Sequence, residues 1–408
     1  MKTPSRRTSK ASKIILPAGF SFSAASAGIK ASGRPDLALV EACAGTTGAA
    51  VFTKNRVVAA PLEVGRASLK AGQQRVRAVI VNSGNANCAT GQPGIRACQR
   101  VCREMSRLLG ISAEEVFPSS TGIIGVPLPV DKIISQLPGL KETREATKRG
   151  VARFARAIMT TDTRPKLASA SFQSREGGVT LLGIAKGAGM IHPQLATMLV
   201  YLFTDVVAPP SELRRLLRDA CACSFNCISI DGDTSTNDTV LLLASGRSGI
   251  GLNNAPARKK FSRALQLVCQ SLAEQIVSDG EGVHRVIRLS VEQARNSEEA
   301  RQVARTVAHS LLVKTAWAGA DPNWGRILAA VGRSGVAIQP AGVSIAIGDQ
   351  TVCRGGVASS FDEKRAHRAL SRRFCEIRIR LLRGRSSAHF LTTDLTAEYV
   401  RINADYST

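Results

Sequence analysis

The chain has 408 residues, 44% of them hydrophobic and 21% charged, enough apolar surface to bury a large core. Its longest apolar runs, such as MLVYLF at 198–203, fall well short of the ~18 residues of a membrane-spanning helix, which excludes a membrane-spanning protein. The formal charge is +24, mostly from residues before 197, but aromatics are only 4% and no basic stretch interleaves with them. A solvated basic surface is therefore the stronger reading, and a nucleic-acid partner the weaker one.

Length alone suggests roughly two or three domains. Ten cysteines are too sparse for a disulfide scaffold, and Cys98/Cys102 and Cys221/Cys223/Cys227 lack the CxxC pairs of a structural zinc site. They read as reduced core thiols of a cytosolic protein.

In chain order, residues 1–13 (MKTPSRRTSKASK) are basic, Ser-rich and free of acid, and predict a disordered tail; an organellar transit peptide is the alternative. From Ile14 onward short apolar stretches alternate with Gly-rich turns. RAVIVNSGNAN, GVTLLGIAKGAG, TVLLLASG and GVSIAIGD each read as a buried strand ending in a turn. Apolar residues at three- and four-residue spacing predict helices over 95–109, 211–223, 258–278 and 297–314, the second and fourth capped by a serine followed by acids. This mixture means α/β or α+β. The Pro/Gly-rich stretch around 124–140 and the GLNNAPA loop at 251–257 are candidate boundaries.

Four dispersed segments are too polar and Gly-rich for ordinary core. VNSGNANCATGQPG (81–94) crowds Asn, Ser and Gly after a strand, which alone is an Asx-capped turn. FPSSTGIIGVPLP (117–129) places Thr121-Gly122 in a flexible turn, where a hydroxyl and a backbone N–H could make an oxyanion hole. In AKGAGMIHPQLATMLVYLFTD (185–205), Ala196-Thr197 opens a buried strand. A threonine after a small residue there suits a self-cleaving nucleophile whose freed α-amine, with a reference pKa of ~7.7–8.0, serves as general base. A β-branched strand residue is the plain alternative. SFNCISIDGDTSTNDTVLLLASG (224–246) holds Asp231, Asp233 and Asp238, but not at calcium-loop spacing, so a hydrogen-bonded turn is the stronger reading and metal binding the weaker.

KGAGM…P..ATM, DGDTSTNDT, DPNWGRI and INADY follow one another in a single order, and the chain from about Pro17 to Thr408 resembles the ornithine acetyltransferase family of glutamate N-acetyltransferases in arginine biosynthesis. The resemblance implies a two-domain α/β (α+β), Ntn-hydrolase-like, self-processing architecture. It implies cleavage between Ala196 and Thr197 into an α chain (14–196) and a β chain (197–408), assembled as a heterotetramer. Thr197 matches the nucleophile, Thr121 with Gly122 the oxyanion hole, and Thr160, Lys186, Thr197, Glu281, Asn403 and Thr408 the substrate-binding set. The implied reaction is ping-pong acetyl transfer from N-acetylornithine to glutamate, without metal or cofactor and in the cytoplasm; the mitochondrial matrix is the alternative for a eukaryotic source. Acetyl-CoA as a second donor stays open. So does a peptidase or amidase on the same architecture, with water as acceptor. His192, Cys227 and His284-Arg285 depart from the family pattern, none at a catalytic position.

Overall fold

The computed structural model describes residues 14–192 and 198–405. The chain opens with β1 (Phe20–Ala25), β2 (Leu37–Ala42), β3 (Thr47–Phe52), α1 (Ala60–Ala71), β4 (Ala78–Asn85), α2 (Gly91–Leu109), β5 (Val116–Ile123), α3 (Val130–Glu142), α4 (Lys148–Ala157), β6 (Lys166–Gln173) and β7 (Gly178–Lys186). There follow β8 (Leu199–Thr204), α5 (Pro210–Ala222), β9 (Thr239–Ala244), α6 (Ala255–Ser278), β10 (Val286–Ala294), α7 (Ser297–Ala308), α8 (Leu311–Ala318) and α9 (Trp324–Gly332). The chain closes with β11 (Ser344–Ile347), β12 (Gln350–Arg354), β13 (Val357–Ala358), α10 (Glu363–Leu370), β14 (Phe374–Arg380), β15 (Ser386–Thr393) and α11 (Ala397–Asp405).

Among the described residues these strands form three sheets, ordered β1-β2-β4-β5, β3-β9-β8-β7-β6 and β13-β12-β11-β14-β10-β15. The first two lie face to face. Phe20, Phe22, Val40 and Val79 from one meet Ile184, Tyr201, Phe203 and Leu241 from the other, with Phe154 of α4 between them. Edge-on ring contacts at 5.2 Å (Phe22 with Phe203) and 5.5 Å (Phe154 with Tyr201) fix this interface. The outer face of the first sheet packs on α2 and α3 through Leu39, Ile80, Met105 and Leu137. That of the second packs on α5 and α6 through Leu202, Leu242, Leu217 and Leu265. The layering is helix, sheet, sheet, helix, an arrangement of the α/β (α+β) class expected from the sequence. The central strands β8 and β9 are buried at every position, because apolar side chains are needed on both faces of an inner sheet. The third sheet, covered by α7, α9 and α10, forms a second core around Trp317, Leu289 and Ile377.

The cysteines are all free thiols. No helix among the described residues is long and apolar enough to cross a membrane. The expected boundary at 251–257 is the short entry to α6, and Pro138 of the other lies inside α3. In sequence, the bond between residues 196 and 197 falls between β7 and β8, which are neighbours in the second sheet.

Two helix starts and one span differ from expectation. Pro209 rather than Ser211 precedes α5, and Asn296 rather than Ser297 caps α7, its side chain accepting from the Glu299 N–H. The helix expected over 297–314 breaks at His309-Ser310 into α7 and α8. The break directs the His309 ring to Ser229, with Nε2 and Oγ 3.0 Å apart.

Candidate active site

The first two polar segments meet because β4 and β5 are parallel neighbours, with Ser83 opposite Thr121 and Gly84 opposite Gly122. Thr121-Gly122 therefore ends a buried strand, and the flexible turn expected there is not what forms. At Gly122 φ is +137°, and a Cβ would lie 2.3 Å from the Gly84 carbonyl carbon, so only glycine allows the two strand ends to approach. Below them Ser120 Oγ donates to Asn82 Oδ1 at 2.6 Å, and Asn82 Nδ2 donates to the Asn85 carbonyl at 2.8 Å.

The fourth segment ties these strand ends together. Asn237 Nδ2 donates both to the Ala86 carbonyl (2.7 Å) and to the Ser120 carbonyl (2.9 Å). The three aspartates of the same segment diverge: Asp231 accepts the Met190 and Ile191 N–H groups at 2.6 and 2.8 Å, whereas Asp238 accepts that of Met198 at 3.0 Å. Asp233 donates its own N–H to Asp231. This is the hydrogen-bonded turn the sequence suggested, extended to bind the connection on either side of the 196/197 junction.

Lys186 ends β7 and is 3% exposed. Its Nζ lies 3.3 Å from Thr121 Oγ1. Burial lowers the Lys186 pKa, opposed chiefly by the Asp162 carboxylate. Asp162 itself is an anchor: it accepts the Gly187 N–H at 2.7 Å, the Thr160 N–H at 3.0 Å and the Lys166 ammonium at 2.5 Å. Burial alone would raise its pKa, but the Lys186 and Lys166 cations and the Gly187 N–H outweigh that and hold it at about 2. Lys166 is shared with Asp279 at 2.6 Å, and Asp279 accepts the Thr163 N–H in turn.

Thr121, Gly122, Thr160, Lys186, Glu281 and Asn403 all line one cleft. Glu281 reaches it over Gly189, where an added Cβ would lie 2.5 Å from the Glu281 carboxylate oxygen. Asn403 Nδ2, on α11, donates to the same carboxylate at 3.0 Å. Ala196, Thr197 and Thr408 lie outside the described residues.

The chemistry of this wall follows from its donors. An ammonium can only donate, so Thr121 Oγ1 accepts from Lys186 and the hydroxyl proton is left to point elsewhere. The cleft thus pairs a hydroxyl donor with a cation and also holds a carboxylate bound by an amide.

The three departures sit aside from this wall. The His192 ring packs on His309 with centroids 4.9 Å apart. Cys227 lines a separate groove with Arg288 and Arg301. The His284 and Arg285 N–H groups donate to Asp394. Sequence reasoning missed Asp162, Asp279 and the bridging role of Asn237, and weighed Asp238 as part of a hydrogen-bonded turn or, as the weaker reading, a metal ligand. All four act on backbone or charged groups that are remote in sequence, and the only trace of the first was its place in MTTDTRPK beside Thr160.

Residues 21–408 match the ArgJ family model. The Arginine biosynthesis bifunctional protein ArgJ of Methylococcus capsulatus is 43% identical over 100% of this chain and 99% of its own length. That of Thermus thermophilus is 45% identical over 97% of this chain and 100% of its own. A crystal structure of ornithine acetyltransferase complexed with ornithine, from Mycobacterium tuberculosis, is 36% identical over 45% of this chain and 94% of that one, with a TM-score of 0.39. A match that runs through every segment lining the cleft, at this identity and over the full length of the relatives, makes the chain a member of the ArgJ family.

Proposed function

We propose that this enzyme of arginine biosynthesis, an acyltransferase, moves acetyl from N-acetylornithine to glutamate through an ester on Thr197. Donor and acceptor are small molecules, and both present an α-carboxylate beside the reacting nitrogen. Lys186 takes that shared carboxylate, Thr121 and Gly122 receive the oxyanion of each tetrahedral intermediate, and Glu281 with Asn403 faces the distal ammonium of ornithine. Thr160 and Thr408 complete the pocket. The nucleophile is released by self-cleavage between Ala196 and Thr197, leaving an α chain of 14–196, preceded by the tail 1–13, and a β chain of 197–408 in a heterotetramer. The transfer needs no cofactor, because the acetyl donor is itself a substrate; acetyl-CoA would act as a second donor of the same acyl group. We place the enzyme in the cytoplasm.

The observation that carries this reading is the convergence of Thr121, Gly122, Thr160, Lys186, Glu281 and Asn403, drawn from well-separated parts of the chain, on one cleft. The test is turnover of N-acetylornithine with glutamate, then of acetyl-CoA with glutamate, by protein whose gel bands and N-terminal sequence identify a chain beginning at Thr197. Hydrolysis of amide substrates without glutamate-dependent transfer would replace the reading with an amidase. A Thr197→Ala protein that still splits at this bond would remove the nucleophile from it.

A further inference from the structure

Helix α11, which carries Asn403 to the cleft, is held on the fold by few side chains. It has nine residues and none of them is buried. A helix below ~12–15 residues is marginal in water by itself, so its place depends on contacts outside it. Its first turn sits on Gly282: Thr396 Oγ1 donates to the Gly282 carbonyl at 2.7 Å and accepts the Tyr399 N–H at 3.2 Å. Gly282 has φ +61°, and a Cβ there would lie 2.4 Å from the Tyr399 nitrogen, so the approach is close. Beyond that turn, among the described residues, two side chains four residues apart on one face of α11 hydrogen-bond outside it. Asn403 meets Glu281 at 3.0 Å. The Tyr399 ring packs against the core that contains Ile191 and Ile230, and its hydroxyl reaches Asp231 Oδ2 at 3.3 Å.

Asp231 is a firm base for that contact. Its two oxygens accept the Met190, Ile191 and Asp233 N–H groups, which fixes it to the segment whose Gly189 and Met190 line the cleft. Burial and the Asp231 and Glu281 carboxylates push the Tyr399 phenol above its ordinary pKa, so the hydroxyl keeps its proton and donates. One carboxylate therefore joins the Met190 edge of the cleft to the helix that brings Asn403 to it. We propose that Tyr399 is a positioning residue whose hydroxyl, held on Asp231, sets α11 so that Asn403 reaches Glu281, and that it thereby governs recognition of the donor's distal ammonium, an inference that rests on Glu281 and Asn403 belonging to the substrate pocket.

Tyr399 acts through Asn403 and not on the substrate. It is not among the residues lining the cleft, and its hydroxyl is engaged by Asp231. Without that hydroxyl the helix keeps the ring contact and the Thr396 cap, which hold its start, but loses the bond that fixes its rotation on the core. Asn403 lies one turn further on and is exposed, so it has little else to hold it on Glu281. The consequence falls on the substrate that carries the distal cation. Glutamate ends in a carboxylate and gains nothing from Glu281, and the acyl-transfer step uses Thr121 and Gly122, which α11 does not carry.

The experiment compares Tyr399→Phe, Asn403→Ala and the double variant with the wild type as processed enzyme. Tyr399→Phe should raise KM for N-acetylornithine on the order of tenfold, the effect of one hydrogen bond to a charged acceptor, and leave kcat within about twofold. KM for glutamate should stay near the wild-type value. In the Asn403→Ala background the same change should add little, because both residues act through one contact. An unchanged KM for N-acetylornithine, an equal rise for both substrates, or single effects that multiply in the double variant would each overturn the proposal. Amide hydrogen exchange without substrate supplies a second measurement: α11 amides in Tyr399→Phe should exchange about tenfold faster than in the wild type, and equal protection overturns the proposal whatever the activity. A wild type that transfers no acetyl from N-acetylornithine defeats the proposed function, whereas the exchange result still decides whether Tyr399 sets the helix.

Discussion

Replacing Asp162 with Asn removes one charge from the centre of the site's framework. The carboxylate joins the Lys166 ammonium, the Gly187 N–H and the Thr160 N–H, so it holds the end of β7 against the loop that carries Thr160. Its pKa falls from 3.8 to about 2 in the folded protein, which favours folding by about 2 kcal/mol at neutral pH. Because the folded value is the lower one, this stability is complete above about pH 5, shrinks through pH 3 and is nearly gone at about pH 2. Asn cannot carry the charge, but Lys166 retains Asp279 at 2.6 Å, so the loss belongs at the low end for a broken buried pair, about 3 kcal/mol. Urea unfolding of both proteins at pH 7 and pH 3 measures it, and the gap should narrow by about 1 kcal/mol at the lower pH. KM for N-acetylornithine should rise in the variant as Thr160 loosens. A gap below about 0.5 kcal/mol at pH 7, or one equal at both pH values, would refute the argument that this carboxylate is charged and paired in the folded protein.

Thr121→Ala should lower kcat by on the order of 10²–10³ in correctly processed enzyme with little change in N-acetylornithine binding, and steady-state kinetics would show it. Gly122→Ala places a methyl group 2.3 Å from the Gly84 carbonyl carbon at a φ of +137°, so its Tm should drop by an amount matching a loss of at least about 2 kcal/mol; an unchanged Tm in a thermal scan would contradict the close approach. Lys186→Met should weaken N-acetylornithine and glutamate alike, whereas Glu281→Gln should weaken N-acetylornithine more; the reverse pattern of KM values would exchange the two ends of the pocket.

Much of this arrangement is legible before folding is considered. MLVYLF and TVLLLA announce β8 and β9 because a strand buried on both faces can only be apolar, and the long amphipathic runs of α2, α5 and α6 mark their own inner faces. Thr121-Gly122 reads as a turn because Gly after small polar residues usually is one; that it ends a strand depends on Gly84 across the ladder, and pairing partners are not written in local composition. The α7 to α8 break is equally non-local, since the helical spacing continues through His309 while its ring is drawn to Ser229. Lys186 and Asn403 stand in the motifs KGAGM and INADY, whereas Glu281 follows only from the family resemblance. Asp162 and Asn237 make their contacts to backbone groups 25 and 151 residues away, and no spacing rule connects such positions.

The place of the junction within the second sheet constrains what cleavage can produce. The antiparallel neighbours β7 and β8 lie on opposite sides of the 196/197 bond, and β9, which follows it, is clasped between β8 and β3, which precedes it. Cleavage between residues 196 and 197 would leave two polypeptides sharing one hydrogen-bonded sheet and one core, an obligate pair whose parting would be the same event as unfolding. Either half made alone would expose a long apolar strand edge, so a gene truncated at the codon for residue 196 should give insoluble product, and the halves should regain solubility only when they fold together.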